Sequence, residues 1–514
     1  MIDFPATARV DLLNRQHPDY AAFAQHWDDF DALCDGGIKL RQAADRLLWR
    51  RPKELPDVYQ ERTRRLTAQP ILGTVLGWYQ SALFRRQPQV AIEPTDERWV
   101  AFLENCDQSG TSYIKFWRGI FRQIALFGRA WILVDKPSAG DEAPASRADE
   151  IERGLDDPYL VGWDPRQVIN WGTDSFGNLE WVLVKSTSES NDFLEQKPNR
   201  TDSWLYYDRE GYARYESAVQ AGPRASFDNG GEPTAANLVE SGTHALSWMK
   251  AVPFVSVALG DELWLTNRTH LKLIEHLNQD NSYSWALFMA NLAMPVVYSD
   301  NNPNFTASET SYILLGREDK FDWSEPPGRS FARAEQRLQD LREEIYRSFY
   351  LQAQGRSSRA TPSAQSGYSK ELDMMPANDV LNALGDVLRE SMQRTLVMAG
   401  QARGIDSVDA TVTGFRFETQ PATDSLALAE EYFALSIPSD TADREMKKRV
   451  VRDVFEDSGP ALLDKMAREI EAAPSAADQA SADKQKQIQA FNKAFETYDD
   501  RLVTHGEVND LQED

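Results

Sequence analysis

Carboxylates gather at two places in the 514-residue sequence: Asp28, Asp29 and Asp31 in WDDFD, and 149–157 in DEIERGLDD. Closely spaced carboxylates can hold Mg²⁺ or share acid and base roles. Neither run sits in a recognisable strand-end constellation, so solvated charge is the expected use. His270 and His276 lie six positions apart, off any common helix face, and the other four histidines are scattered. Structural or surface roles suit them better than metal ligation. The sequence has no Gly-Lys pair, hence no GxxxxGK[ST] phosphate loop, and no GxGxxG, GxSxG or HExxH. It therefore predicts no catalytic residue, no metal and no cofactor. A metal-dependent nuclease using Asp28, Asp29 and Asp31 stays open as an alternative.

Trp163, Trp171, Trp181, Trp204, Tyr206 and Tyr207 could stack bases on a sheet, but no cations interleave with them as an RNA platform requires. Packing between strands is the expectation.

The elements that must position these residues follow from composition and period. With 41% hydrophobic residues and fourteen Trp, the chain can bury a large core in several domains. The 56 basic and 80 acidic residues give a net charge of −24, which argues against general wrapping of nucleic acid. Two cysteines, Cys34 and Cys106, point to a reducing compartment and cytoplasmic assembly. The N-terminus lacks the pattern of a signal peptide. The most apolar helical stretch, WALFMANLAMPVV from Trp285, is too short and interrupted to span a bilayer, so no membrane is expected.

Apolar residues three and four apart predict helices across 19–127, as in ILGTVLGWYQSALF and IKFWRGIFRQIALFG. The period then shortens. RAWILVD reads as a buried strand, and 158–259 reads as strands with a long surface loop at 220–237. A helix follows through Ile274, Leu277, Asn281, Trp285 and Phe288, then a small β unit over 294–329. A second helix over 330–354 carries Leu338, Leu341 and Ile345 on an apolar stripe. Beyond 370 comes a helix with Pro376 near its start, predicting a kink or restart, then a strand near 409–419 that must return to an earlier sheet. Helices follow to 471, and the polar end from Ala472 reads as a solvated helix or a disordered tail. The fold class is α+β.

Between the last two long helices lies QAQGRSSRATPSAQSGYSKE, with no aliphatic residue larger than Ala. It reads equally as a disordered loop and as a mobile segment whose Arg356, Arg359 and Lys370 touch a phosphate backbone without holding it.

This order resembles the portal proteins of tailed double-stranded DNA bacteriophages over most of the chain. Local wording is similar too: YQERTRRLTAQPILGTVLGWYQSALFRRQP, with its YxxR step and its end in F-R-x-P, then ALFGRAWILVDKP, and VPFVSV. The resemblance implies a wing over 1–259, a first stem helix over 260–293, a clip over 294–329 and a second stem helix over 330–354. A tunnel loop over 355–369, a long kinked helix and return strand over 370–419, a crown over 420–471 and a C-terminal tail over 472–514 complete it. It implies a ring of about twelve copies at one capsid vertex, in the virion, through which DNA passes while a separate terminase hydrolyses ATP. Arg356, Arg359 and Lys370 would then meet DNA; Leu338, Leu341 and Ile345 would pack stem helices. Tyr298, Tyr312 and Trp323 would anchor the clip against terminase and a head-tail adaptor. Major capsid and scaffolding proteins are further implied partners. A different minor capsid protein is the other reading.

Overall fold

Helix α8 (Tyr113–Phe127) ends where Gly128 takes φ +73°, a left-handed value that costs glycine nothing. A Cβ at Gly128 would come within 2.5 Å of the Trp264 ring. Strand β3 (Arg129–Asp135) follows at once. The carbonyls that α8 leaves unpaired at its end are taken up by side chains: Thr266 Oγ1 donates to Ala125 O at 2.7 Å, Trp264 Nε1 to Leu126 O and Trp27 Nε1 to Phe127 O, each at 3.2 Å. The change of period seen at Gly128 is thus a joint around which distant segments close.

The computed structural model describes residues 4–93, 96–137, 145–190, 199–219, 235–291, 294–298, 320–324, 329–351, 367–415, 417, 422–435, 439–455 and 460–473, with 484 and 489. It mixes helices with antiparallel sheets, the α+β class. Before α8 come α1 (Val10–Leu13), α2 (Pro18–Asp35), α3 (Gly37–Gln42), α4 (Ala44–Leu47), α5 (Pro56–Arg64), α6 (Ile71–Leu83) and α7 (Glu97–Glu104). Short α9 (Arg147–Glu152) follows β3.

A six-stranded sheet, in the order β1-β9-β8-β7-β6-β5, combines β1 (Thr7–Arg9), β5 (Val168–Thr173), β6 (Leu179–Ser190), β7 (Asn199–Asp208), β8 (Tyr212–Val219) and β9 (Ala235–Gly242). A three-stranded sheet sets β3 between β10 (Phe254–Ala258) and β4 (Tyr159–Trp163). Trp171, Trp204 and Tyr207 are buried in the core, while Trp163, Trp181 and Tyr206 are half-buried against it. Aromatic residues here pack strands.

The strands at 7–9 and 89–93 differ from the helical and unassigned readings of those stretches, and β9 takes up the last three residues of the loop expected over 220–237. Each is short or opens beside a polar run, so period alone is a weak signal. The return strand β13 (Asp409–Thr413) pairs antiparallel with β2 (Gln89–Glu93), Val412 facing Val90 and Ala410 facing Ile92. Its partner is this short strand between α6 and α7, not one of the larger sheets.

Three long helices complete the first compact unit, residues 1–417. They are α10 (Leu265–Asn291), α11 (Arg329–Ser348) and α12 (Gly367–Ala402). Pro376 lies inside α12, which is one helix without a restart and begins at Gly367, ahead of the expected 370. Leu381, Leu384, Leu388, Met392 and Leu396 bury its stripe. Gly400 lies so close to Val408 that a Cβ would meet Val408 Cγ2 at 2.2 Å.

Residues 418–514 form the second unit. There α13 (Ala422–Ala434), α14 (Asp440–Val454) and α15 (Pro460–Ala472) pack in sequence, with Ser439 capping α14 and Lys448 bridging Glu445 and Glu471.

Candidate functional site

Helices α10 and α11 run antiparallel. Lys272 pairs with Glu344 at 3.4 Å, Arg337 with Glu275 at 3.1 Å, and the rings of Tyr283 and Phe331 meet edge to face, so rising numbers on one helix match falling numbers on the other. At 1.5 Å per residue α10 spans about 40 Å and α11 about 30 Å. The loop end of this hairpin carries a two-stranded ribbon, β11 (Met294–Tyr298) against β12 (Lys320–Ser324), with Tyr298 opposite Lys320 and Pro295 opposite Trp323. The surface ion pairs add little individually. Burial of Leu341 and Ile345, both at 0% exposure, is what locks the two helices.

The middle of α10 is fixed by a buried polar cluster. Arg62, 1% exposed, donates from Nε and Nη2 to the two oxygens of Glu54 at 2.7 and 3.0 Å, a bidentate pair. Its Nη1 donates to Asn281 Oδ1 at 2.8 Å, and Nη2 also reaches Trp49 O at 3.0 Å. One turn back on α10, Asn278 accepts from Trp49 N–H at 2.7 Å and donates to Leu47 O at 2.9 Å. Asn278 and Asn281, three apart and so on one helix face, meet the backbone where α4 leads towards α5. Burial pushes the Glu54 carboxyl up; the hydrogen bonds from Arg62 and Arg51 N–H outweigh that and hold it below the usual range.

The end of α11 away from the ribbon is equally defined. Tyr350 adopts φ +59°, uncommon for a bulky residue, and Leu351 N–H donates back to Tyr346 O at 2.9 Å, the six-to-one bond of a Schellman cap. Phe349 and Leu351 are buried on either side, and Tyr79 OH donates to Phe349 O at 2.6 Å. Helix α11 thus stops at Ser348 instead of continuing to about 354 as the spacing predicts. After the return, Tyr113 OH donates to Met392 O at 2.8 Å inside the core, tying α12 to α8.

Of the residues expected to act in assembly or DNA contact, Leu341 and Ile345 are buried within one chain and Leu338 is half-buried. Tyr298 is 61% exposed on the ribbon, and Trp323 shares that ribbon. Lys370 falls in the first turn of α12. Tyr312, Arg356 and Arg359 lie outside the described residues, as do the bulk of the expected clip and tunnel loop.

The acidic runs are engaged by cations. Asp28 pairs with Arg166 at 2.9 Å, Asp29 with Arg46 at 2.8 Å, and Asp31 with Lys39 at 3.0 Å and Arg166 at 3.3 Å. Asp156 and Asp157 both hold Arg98, and Glu150 holds Lys136. Among the described residues no group of three His, Cys, Asp or Glu side chains is placed to hold a metal ion. His270 packs against Phe30 and His26, while His276 faces Asp280 and Arg342; burial pushes both imidazoles down. No helix among the described residues is long and apolar enough to cross a membrane.

The docking cluster escaped sequence reasoning. Its signals were the YxxR step, which places Arg62 Cζ 5.8 Å from the Tyr59 ring centroid, and two asparagines on an otherwise apolar helical stripe. A polar residue on a buried stripe signals a partner elsewhere, but not which one.

No protein-family model matches the chain, and no curated protein matches it. It is similar at 12% identity to a chain from the neck of an empty gene transfer agent (GTA) particle computed with C6 symmetry, with a TM-score of 0.40, covering 79% of this chain and 97% of that one. A chain from the virion of the native GTA particle is 11% identical with a TM-score of 0.39, covering 80% of this chain and 98% of that one. A chain from the neck of the native particle computed with C12 symmetry is 12% identical with a TM-score of 0.38, again covering 80% and 98%.

Proposed function

We propose that this chain is the subunit of a portal ring, the channel at one capsid vertex through which double-stranded DNA enters and leaves. One observation carries the reading: a long antiparallel hairpin with a strand ribbon at its loop end, rooted in an α+β body and followed by a long helix running back through that body. A hairpin docked by Arg62, Asn278 and Asn281 is held rigidly enough to stand as a stave in a ring. The sequence wording of 59–88, 125–137 and 252–257 supports the same reading.

In this proposal the ribbon and its Tyr298 and Trp323 face a head-tail adaptor and terminase, which supplies the ATP hydrolysis the portal lacks. Capsid and scaffolding proteins surround the ring, assembly takes place in the host cytoplasm, and the finished ring resides in the virion. The net charge of −24 keeps DNA from sticking to the wall.

Negative-stain images and solution mass test the ring. Rings with an open centre and about twelve times the chain mass are expected. A protein that remains a monomer at every concentration and salt level, alone and with scaffolding protein, overturns the reading. The segment 352–370 is tested separately by deleting 356–366. Rings should still form, while DNA packaging or retention falls; normal packaging removes Arg356 and Arg359 from any role with DNA.

A further inference from the structure

The outward face of α8 departs from the charge of the rest of the chain. Its exposed residues are Lys115, Arg118, Gly119 and Arg122, and the helix contains no Asp or Glu. The cations recur at three and four positions, which lines them along one stripe. Helix α6 alongside has no charged residue at all and exposes Thr74 and Ser81, and just beyond its end Arg85 is exposed as well. The two helices are held together here: Gln80 Nε2 donates to Arg118 O at 2.7 Å, and the Arg118 guanidinium lies 5.5 Å from the centroid of Phe84, the residue before Arg85. Arg122 is engaged by Asp35. Among the described residues Arg85, Lys115 and Arg118 enter no ion pair. A cation-lined face on two helices that contain no acid, with Asp35 meeting it at Arg122, is conspicuous in a chain with 80 acidic and 56 basic residues.

We propose that this face binds the phosphate backbone of duplex DNA, without sequence preference. Two features favour phosphate over an acidic protein. Neither α6 nor α8 exposes a large apolar side chain, and protein interfaces depend on such anchors at their centre. The exposed residues of the two helices besides the cations, Thr74, Ser81 and Gly119, are small, and a Cβ at Gly119 would meet nothing within 4 Å, so a backbone can approach closely. Contact through a few cations is weak and strongly screened by salt, which suits DNA that must move. The inference concerns a part of the sequence far from 352–370 and does not depend on the ring.

The test uses the full-length protein and a labelled blunt duplex, with binding followed by anisotropy across a salt series and oligomeric state checked by light scattering. The triple variant Arg85→Gln, Lys115→Gln, Arg118→Gln should bind about ten- to hundredfold more weakly at low salt, and its plot of log affinity against log salt should be shallower by about 2.7. A control neutralising Arg15, Lys53 and Arg468, exposed cations elsewhere, should keep the wild-type slope. Equal losses in the two variants, an unchanged slope in the first, or no binding by the wild type at low salt overturns the proposal. Displacement of the duplex by poly-glutamate as effective as by unlabelled DNA overturns the assignment to phosphate. Comparable melting temperatures of the variants establish that the fold is kept.

Discussion

Arg62→Met destabilises the first unit by about 3–5 kcal/mol in equilibrium unfolding, because it leaves the Glu54 carboxylate, 3% exposed, without its guanidinium. Met matches the apolar stem of Arg, so the loss is one of charge and hydrogen bonds more than of volume. Glu54→Gln in the same background should recover much of the loss, since a neutral amide is cheaper to bury than an unpaired carboxylate. The response to pH has opposite signs in the two proteins. In the wild type the Glu54 carboxyl sits below its ordinary value, so its contribution is complete above that value and disappears as pH falls through the depressed one. In Arg62→Met the buried carboxyl rises above its ordinary value, and acidification, by protonating it, restores stability. A variant that melts like the wild type, or that loses stability on mild acidification as the wild type does, removes the cluster from its role in docking α10.

Leu341→Asp carries the second large effect. Leu341 is fully buried where α11 lies on α10, so a carboxylate there loses its hydration. A cost of about 3–5 kcal/mol follows, with Leu341→Ala at about 2–5 kcal/mol through the cavity alone. Leu338, half-buried one turn earlier, separates packing within a chain from packing between chains. Leu338→Asp should change the monomer's melting by about 1 kcal/mol or less, and reduce assembly if Leu338 meets a neighbouring subunit. Normal melting of Leu341→Asp by calorimetry would contradict the burial on which the hairpin depends. A Leu338→Asp protein that assembles as well as the wild type would confine the stripe to contacts inside one chain.

Long periodic segments were legible without the structure. The stripes on α8, α11 and α12, the continuous apolar run of β3 and the strand character of β4 through β8 follow from which residues can share a buried face, a local property of spacing. So was the order of long helix, short strands, long helix and long helix. The short strands β1 and β2 were not, because a few residues carry too little period, nor was the start of β9, which opens in a polar run; β1 and β2 are each stabilised by a partner far away. Thr413 meets Gln89 across more than three hundred positions, and the opening residues Thr7 and Ala8 meet Asn237 and Ala236.

Charge shows the same division. The acidic runs at 28–31 and 149–157 announced solvated or metal-binding carboxylates, yet Arg46, Arg98 and Arg166 reach them from other elements. The sum of charges concealed a cationic face on α6 and α8, since a total carries no position. Asn281, on the apolar stripe read from the sequence, and Asn278 beside it are met by Arg62 and the carbonyl of Leu47. The residue types thus dictate on their own which long segments become helices and strands and which faces turn inward, because propensity and burial act over a few neighbours. Folding in three dimensions selects which polar groups complete one another, because a hydrogen bond or ion pair depends on distances that spacing along the chain does not contain.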